Sequence, residues 1–267
     1  MTPPTRYAAL GSSFAAGPGI PPIVDVDAVR SGRNYPRLLA KALGAELVDL
    51  SVSGATTATI LDEPQLTMTG ARFPPQIGGV PATADLVTIT AGGNDLRFAG
   101  SLLFTAWNRV DPDGPMARML AADFPSGIPA PTREDVDRTA AGLVRVVERV
   151  RDKAPRARVV LVDYLTIIGA GTSPGVPFEP AEVDALRDIQ DALEAAYVAA
   201  AERTGAELVA VSRVSRDHAL GSTAPWVQPF LPDLARTGAS FHPNAEGMAV
   251  VAAEVEKALR QDRPTPV

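Results

Sequence analysis

Tyr7-Ala-Ala-Leu-Gly-Ser-Ser-Phe-Ala-Ala-Gly17 joins a short apolar run to a glycine, two serines and a second glycine. The run has the length and composition of a buried strand. A strand ending in such a turn lifts a serine hydroxyl clear of the sheet edge, where a substrate can meet it. Gly11 permits a tight turn, and the small Ala15-Ala16-Gly17 lets the next segment pass close to the sheet. Ser13 is therefore the candidate nucleophile. Ser12 is its adjacent rival, and the spacing from Gly11 and Gly17 favours Ser13.

Outward from this stretch, β-rich apolar runs recur at Tyr7–Leu10, Glu46–Leu50, Leu86–Thr90, Arg158–Tyr164 and Glu207–Val211. Their mostly unalternating apolar character predicts a parallel sheet covered on both faces. Helical stretches separate or follow them. Tyr35–Leu43 stops at Gly44, a C-terminal cap glycine, and Thr132 caps a helix with acidic first-turn residues that runs to Lys153. Glu179–Arg203 stops before Gly205, and Pro243 opens a last helix through about Arg260. This alternation predicts one α/β domain over residues 1–267, a three-layer α/β/α sandwich on a five-stranded parallel sheet. Residues 65–81 and 98–131 break the rhythm, being rich in Pro, Gly and aromatics and long for plain connections. They are read as pocket-lining insertions, with Phe98, Phe104 and Trp107 offering an apolar lining or, alternatively, ordinary core. Residues 261–267 read as a flexible tail.

The 267 residues are 46% hydrophobic and 21% charged, as expected of a globular chain with a sizeable core. A net charge of −6 makes nucleic acid a poor partner, and no apolar run approaches the roughly 20 residues of a membrane span. The absence of cysteine removes disulfides, thiolate chemistry and cysteine metal sites. It favours a cytoplasmic location, with secretion the alternative had a signal segment been removed. Oligomeric state is not encoded in any pattern.

Three further segments complete a chemistry: Ser53-Gly54 after the second run, Gly92-Gly93-Asn94-Asp95 after the third, and Phe241-His242-Pro243-Asn244. Acyl transfer places negative charge on a former carbonyl oxygen, and preorganised N–H groups stabilise it. The Gly54 N–H can approach without a side chain in the way, and the Asn94 amide can reach in from a loop. With two histidines in the chain, a serine–histidine mechanism must use His218 or His242. His242 precedes a helix-opening proline, which predicts an extended backbone on a rim. His218 lies in a polar loop, so His242 is the favoured base. No cofactor is expected, since there is no G-x-G-x-x-G spacing and no following Lys-Ser/Thr. Two histidines without cysteines or an H-E-x-x-H pattern argue against a metal. Gly171-Thr-Ser-Pro-Gly175 matches a G-x-S-x-G elbow, but Pro174, Pro177 and Pro180 make it a loop rather than a strand-to-helix turn.

These four blocks, in this order from Tyr7 to about Met248, resemble the SGNH (GDSL) hydrolase superfamily. The resemblance implies a flavodoxin-like fold and a metal-independent serine esterase or lipase acting on small-molecule or lipid esters through an acyl-enzyme. It also implies Ser13 as nucleophile, His242 as base, and an oxyanion hole of Ser13 N–H, Gly54 N–H and the Asn94 side chain. Two positions depart from the pattern. Ser12 stands where the family usually has aspartate, and Ala239 stands where an aspartate usually orients the histidine. The expected orienting group is then a backbone carbonyl, that of Ala239, with Asp233 or Asp217 as the carboxylate alternative. Activity should rise through neutral pH as the base deprotonates. The alternative readings are an acyltransferase using the same acyl-enzyme and a non-catalytic binding protein in which Ser12 and Ala239 mark decay.

Overall fold

The computed structural model describes residues 4–170, 172 and 178–261, so the G-x-S-x-G segment at 171–175 and the tail at 262–267 lie outside the described residues, Thr172 excepted. The first half of the chain runs β1 (Arg6–Gly11), α1 (Ser13–Ala16), β2 (Ile23–Asp25), β3 (Arg30–Ser31), α2 (Tyr35–Leu43), β4 (Glu46–Asp49), α3 (Thr57–Leu61), β5 (Gln65–Leu66), β6 (Arg72–Phe73) and β7 (Leu86–Thr90). The second half runs α4 (Phe98–Val110), α5 (Pro115–Asp123), α6 (Arg133–Lys153), β8 (Arg158–Val162), α7 (Pro180–Thr204), β9 (Glu207–Val209), α8 (Val211–Val214) and α9 (Ala245–Gln261).

Five strands form one parallel sheet in the order β4-β1-β7-β8-β9. All of β7 and all but the first residue of β1 are buried, which is why these strands read as continuous rather than alternating apolar runs. Helices α3, α6 and α7 pack together as one group, and α2 packs on α9 as another. The central polar groups are paired: the Tyr7 and Tyr35 hydroxyls both bond Thr88 Oγ1, and Tyr35 also bonds Thr90 Oγ1. Winding passes from β1 out to β4, then back across β1 to β7. The loops after β4, β1 and β7 therefore stand side by side at the carboxyl edge, where open α/β sheets place their sites.

Local signals hold at most helix ends. Gly44 and Gly205 are left-handed caps of α2 and α7, and Thr132 exchanges capping bonds with Asp135. The last helix differs from expectation. Pro243 does not open it, because Pro243 bridges Val227 in antiparallel fashion and the Asn244 side chain accepts the Gly247 N–H at 2.9 Å, so α9 starts at Ala245. Residues 98–131 also differ, being largely the packed helices α4 and α5. Phe98 and Trp107 are core residues, and Trp107 Nε1 donates to Thr237 Oγ1 at 2.8 Å. Phe104 stacks on Phe124.

Candidate active site

Ser13 is the first residue of the four-residue helix α1, directly beyond the end of β1. The turn requires Gly11, because a Cβ there would stand 2.7 Å from the Thr90 carbonyl oxygen and 2.8 Å from Ala15 Cβ. At this point β4 has already ended. Leu50 N donates to Ala9 O and Val52 N to Gly11 O, but no strand neighbour takes the Gly11 N–H. The Gln76 carboxamide fills that gap, accepting from Gly11 N and donating to Gly11 O, both at 2.9 Å. A buried side chain thus substitutes for a missing strand peptide immediately before the serines. Sequence reasoning missed Gln76, since a glutamine in a Pro/Gly-rich stretch carries no signal of its partner.

Ser12 has a structural role. Its hydroxyl shares a 2.8 Å hydrogen bond with the Tyr164 hydroxyl, which also accepts the Gly93 N–H at 3.3 Å. The first and third loops are thereby tied through a phenol that burial keeps firmly protonated. Phe14 lies between Tyr164 and the His242 ring, with centroids 4.2 and 5.1 Å away.

The structure brings Ser13 and His242 together. Ser13 Oγ and His242 Nε2 are 2.8 Å apart, and His242 Nδ1 is 2.8 Å from the Ser240 carbonyl oxygen. A carbonyl can only accept, so Nδ1 carries the proton and Nε2 is left to accept from the serine hydroxyl. The carbonyl on Nδ1 is thus that of Ser240, where that of Ala239 was expected. The Ala239 carbonyl accepts the His242 backbone N–H at 3.3 Å and also favours the charged form of the ring. Phe241 has a left-handed φ of 63°, and the chain reverses there so that the ring meets the carbonyl two residues back rather than three. Asp233 does not reach the ring; its Oδ1 accepts the Ala235 N–H at 2.8 Å. Asp217 is an exposed residue of the turn carrying His218.

His242 is also buried, not on a rim. Burial disfavours its cationic form and lowers its pKa to about 4; the Ser240 and Ala239 carbonyls offset part of that effect. The expected rise in activity through neutral pH therefore moves to the acid side. His218 stays apart from the serine: its Nδ1 pairs with Ala224 O at 2.7 Å and its ring stacks on Trp226 at 3.6 Å.

Gly54 and Asn94 lie on the loops after β4 and β7, the strands on either side of β1. Gly54 has φ +86°, a conformation that favours glycine. The Asn94 Nδ2 group donates to Ala55 O at 2.9 Å, which links the second and third loops and leaves a second amide hydrogen. Asp95 fixes the same junction by accepting from Thr57 N and Oγ1. Among the described residues, neither the Ser13 N–H nor the Gly54 N–H is engaged by a protein acceptor. The loop carrying Gly54 is braced further: Arg30 Nε donates to Ser51 O, Ser53 N to Ala28 O, and Gln65 Nε2 to Ser53 O.

A parallel α/β/α sandwich of this winding, with a serine–histidine pair over its carboxyl edge, defines a carboxylic ester hydrolase of the SGNH type. The chain belongs to the GDSL-like Lipase/Acylhydrolase family, which it matches over residues 9–250. It is 33% identical over 262 residues to Lipase 2 of Streptomyces coelicolor, covering 92% of this chain and 83% of that protein. The crystal structure of an extracellular lipase from Streptomyces rimosus superposes with a TM-score of 0.72 at 26% identity, over 95% of this chain and 99% of that one. A phospholipase A1 from Streptomyces albidoflavus shares the fold, with a TM-score of 0.74 at 23% identity over 95% and 99% of the two chains.

Proposed function

We propose that Ser13 is the nucleophile and His242 the general base of a two-residue catalytic pair that hydrolyses lipid esters. The observation that carries this reading is the 2.8 Å contact between Ser13 Oγ and His242 Nε2, with Nδ1 fixed by Ser240 O. His242 Nε2 takes the hydroxyl proton as Oγ bonds to the ester carbonyl carbon, and the carbonyl oxygen becomes an oxyanion. The N–H groups of Ser13 and Gly54 and the remaining Asn94 amide hydrogen hold that oxyanion. Collapse breaks the bond to the alcohol oxygen, which leaves with the proton from Nε2. Water then gives a proton to Nε2 and adds to the acyl carbon, and the second collapse returns that proton to Ser13 and frees the acid. Every proton transferred in the cycle passes through His242 Nε2.

The lipid ester assignment rests on the lipases among the relatives. The extracellular lipase among the structural neighbours likewise favours action outside the cell over the cytoplasmic location expected from composition. The test is labelling with a fluorophosphonate followed by peptide mass mapping. One adduct is expected, on Ser13, and it should disappear in His242→Ala. An adduct on Ser173, or labelling of Ser13 that is indifferent to His242, would overturn the pair.

A further inference from the structure

The most exposed apolar side chains of the described residues concentrate in two short hairpins. Met68 is 93% exposed, Leu66 72% and Val26 70%, with Val24 and Val29 also uncovered. Val24, Val26 and Val29 belong to the β2–β3 hairpin, and Leu66 and Met68 to the β5–β6 hairpin. The two tips are joined by a 2.8 Å hydrogen bond from Thr69 Oγ1 to Asp27 Oδ1. They form one surface, and apolar groups at this density on a surface mark an interaction site.

Its position identifies its use. Ala28, in the turn of the first hairpin, accepts the Ser53 N–H, and Gln65, in the second, donates to Ser53 O. Both hairpins are therefore bonded to the residue preceding Gly54, beside the site assigned to ester cleavage. A Met side chain 93% exposed at a turn touches almost nothing of its own protein. It projects as a prow suited to enter a fluid apolar phase, rather than as part of a flat face that a second copy could match. Charge narrows the phase further. The two hairpins, residues 23–31 and 65–73, carry Asp25 and Asp27 against Arg30 and Arg72 and so have no excess of positive charge, and the chain carries a net charge of −6. An anionic surface, which attracts basic segments, is disfavoured.

We propose that the tips of the two hairpins dock the protein on a zwitterionic phospholipid surface and hold the ester-cleaving site against it. The proposal rests on the ester-hydrolase reading for the choice of a lipid partner, but binding is measurable without turnover. The experiment is flotation of the full chain carrying Ser13→Ala with phosphatidylcholine vesicles, compared with the same chain carrying Val26→Ser, Leu66→Ser and Met68→Ser. Burying one side chain of this size changes a partition coefficient by roughly tenfold or more. The triple variant should therefore lose at least tenfold in vesicle binding. With Ser13 restored, it should hydrolyse a water-soluble aryl acetate within about twofold of the unmodified chain.

Four results would overturn the proposal: no flotation of the parent, equal flotation of the triple variant, flotation only when phosphatidylserine is added, or a concentration-dependent dimer that the triple variant abolishes. The soluble ester separates this from failure of the catalytic reading. A chain that binds vesicles but cleaves no soluble ester fails as a hydrolase, whereas one that cleaves the ester and ignores vesicles fails only here.

Discussion

The two histidines present the same local arrangement in two settings. Each places Nδ1 against a backbone carbonyl, Ser240 O at 2.8 Å for His242 and Ala224 O at 2.7 Å for His218, and each has an aromatic ring beside it. Fixing the tautomer is therefore generic in this molecule. What separates them is burial and the partner of the other nitrogen. His242 is buried with Nε2 on Ser13, while His218 is half-buried and stacked flat on Trp226. A carbonyl holds the ring as a carboxylate would, but it adds no charge to stabilise an imidazolium. The difference teaches that the base is set by what it faces and by how dry it is.

Removing each ring breaks the comparison most directly. His242→Ala should lower kcat/KM for a soluble ester by about 10²–10⁴-fold, the range for losing a positioned base. His218→Ala should stay within a few-fold, with any deficit appearing in thermal stability through the lost Trp226 stack. Equal losses in the two variants would reassign the base.

How much of this was readable beforehand follows from the range of each interaction. The five strands of the main sheet, α2 and α6 were legible because apolar periodicity and capping are local, and the pairing of Ser13 with His242 was legible because each sits in a short motif. The identity of the orienting carbonyl was not, since it depends on the left-handed turn at Phe241, a bulky residue for which a positive φ is rare. Gln76 was equally hidden, as its partner Gly11 lies 65 residues away. The helices within 98–131 were missed because Gly114, Pro115 and the Pro-rich 125–131 stretch resemble loop punctuation, whereas Pro115 in fact sits in the first turn of α5.

The second test sharpens the burial half of the comparison. With its pKa lowered to about 4, His242 is neutral, and competent as a base, at every pH well above 4. The folded value lies below the ordinary value of about 6.5, so the unfolded chain binds this proton first as pH falls. Its contribution to stability is complete above about 6.5 and is lost progressively down to about 4. The log of kcat/KM should be flat from pH 6 to 8 and fall tenfold per unit below about 4, with circular dichroism confirming that the protein remains folded where the rates are read. An inflection between 6 and 7 would mean that water or a carboxylate reaches the ring.

That last alternative has a named carboxylate, and replacing it is the smallest expected effect. The Asp233 side chain accepts the Ala235 N–H within its own turn, and the Asp233 backbone N–H donates to Leu231 O. Asp233→Asn keeps an oxygen acceptor for the Ala235 bond while removing the charge. If Ser240 O alone orients His242, kcat and KM should both stay within about twofold, and the pH profile should not move. If the loop swings Asp233 onto Nδ1 when substrate binds, kcat should instead fall by orders of magnitude with the fold intact. The two histidines would then differ in kind, one gaining a carboxylate during turnover and the other never doing so. Unchanged kinetics in Asp233→Asn, together with the acid inflection, would leave a neutral carbonyl as sufficient support for a buried catalytic histidine.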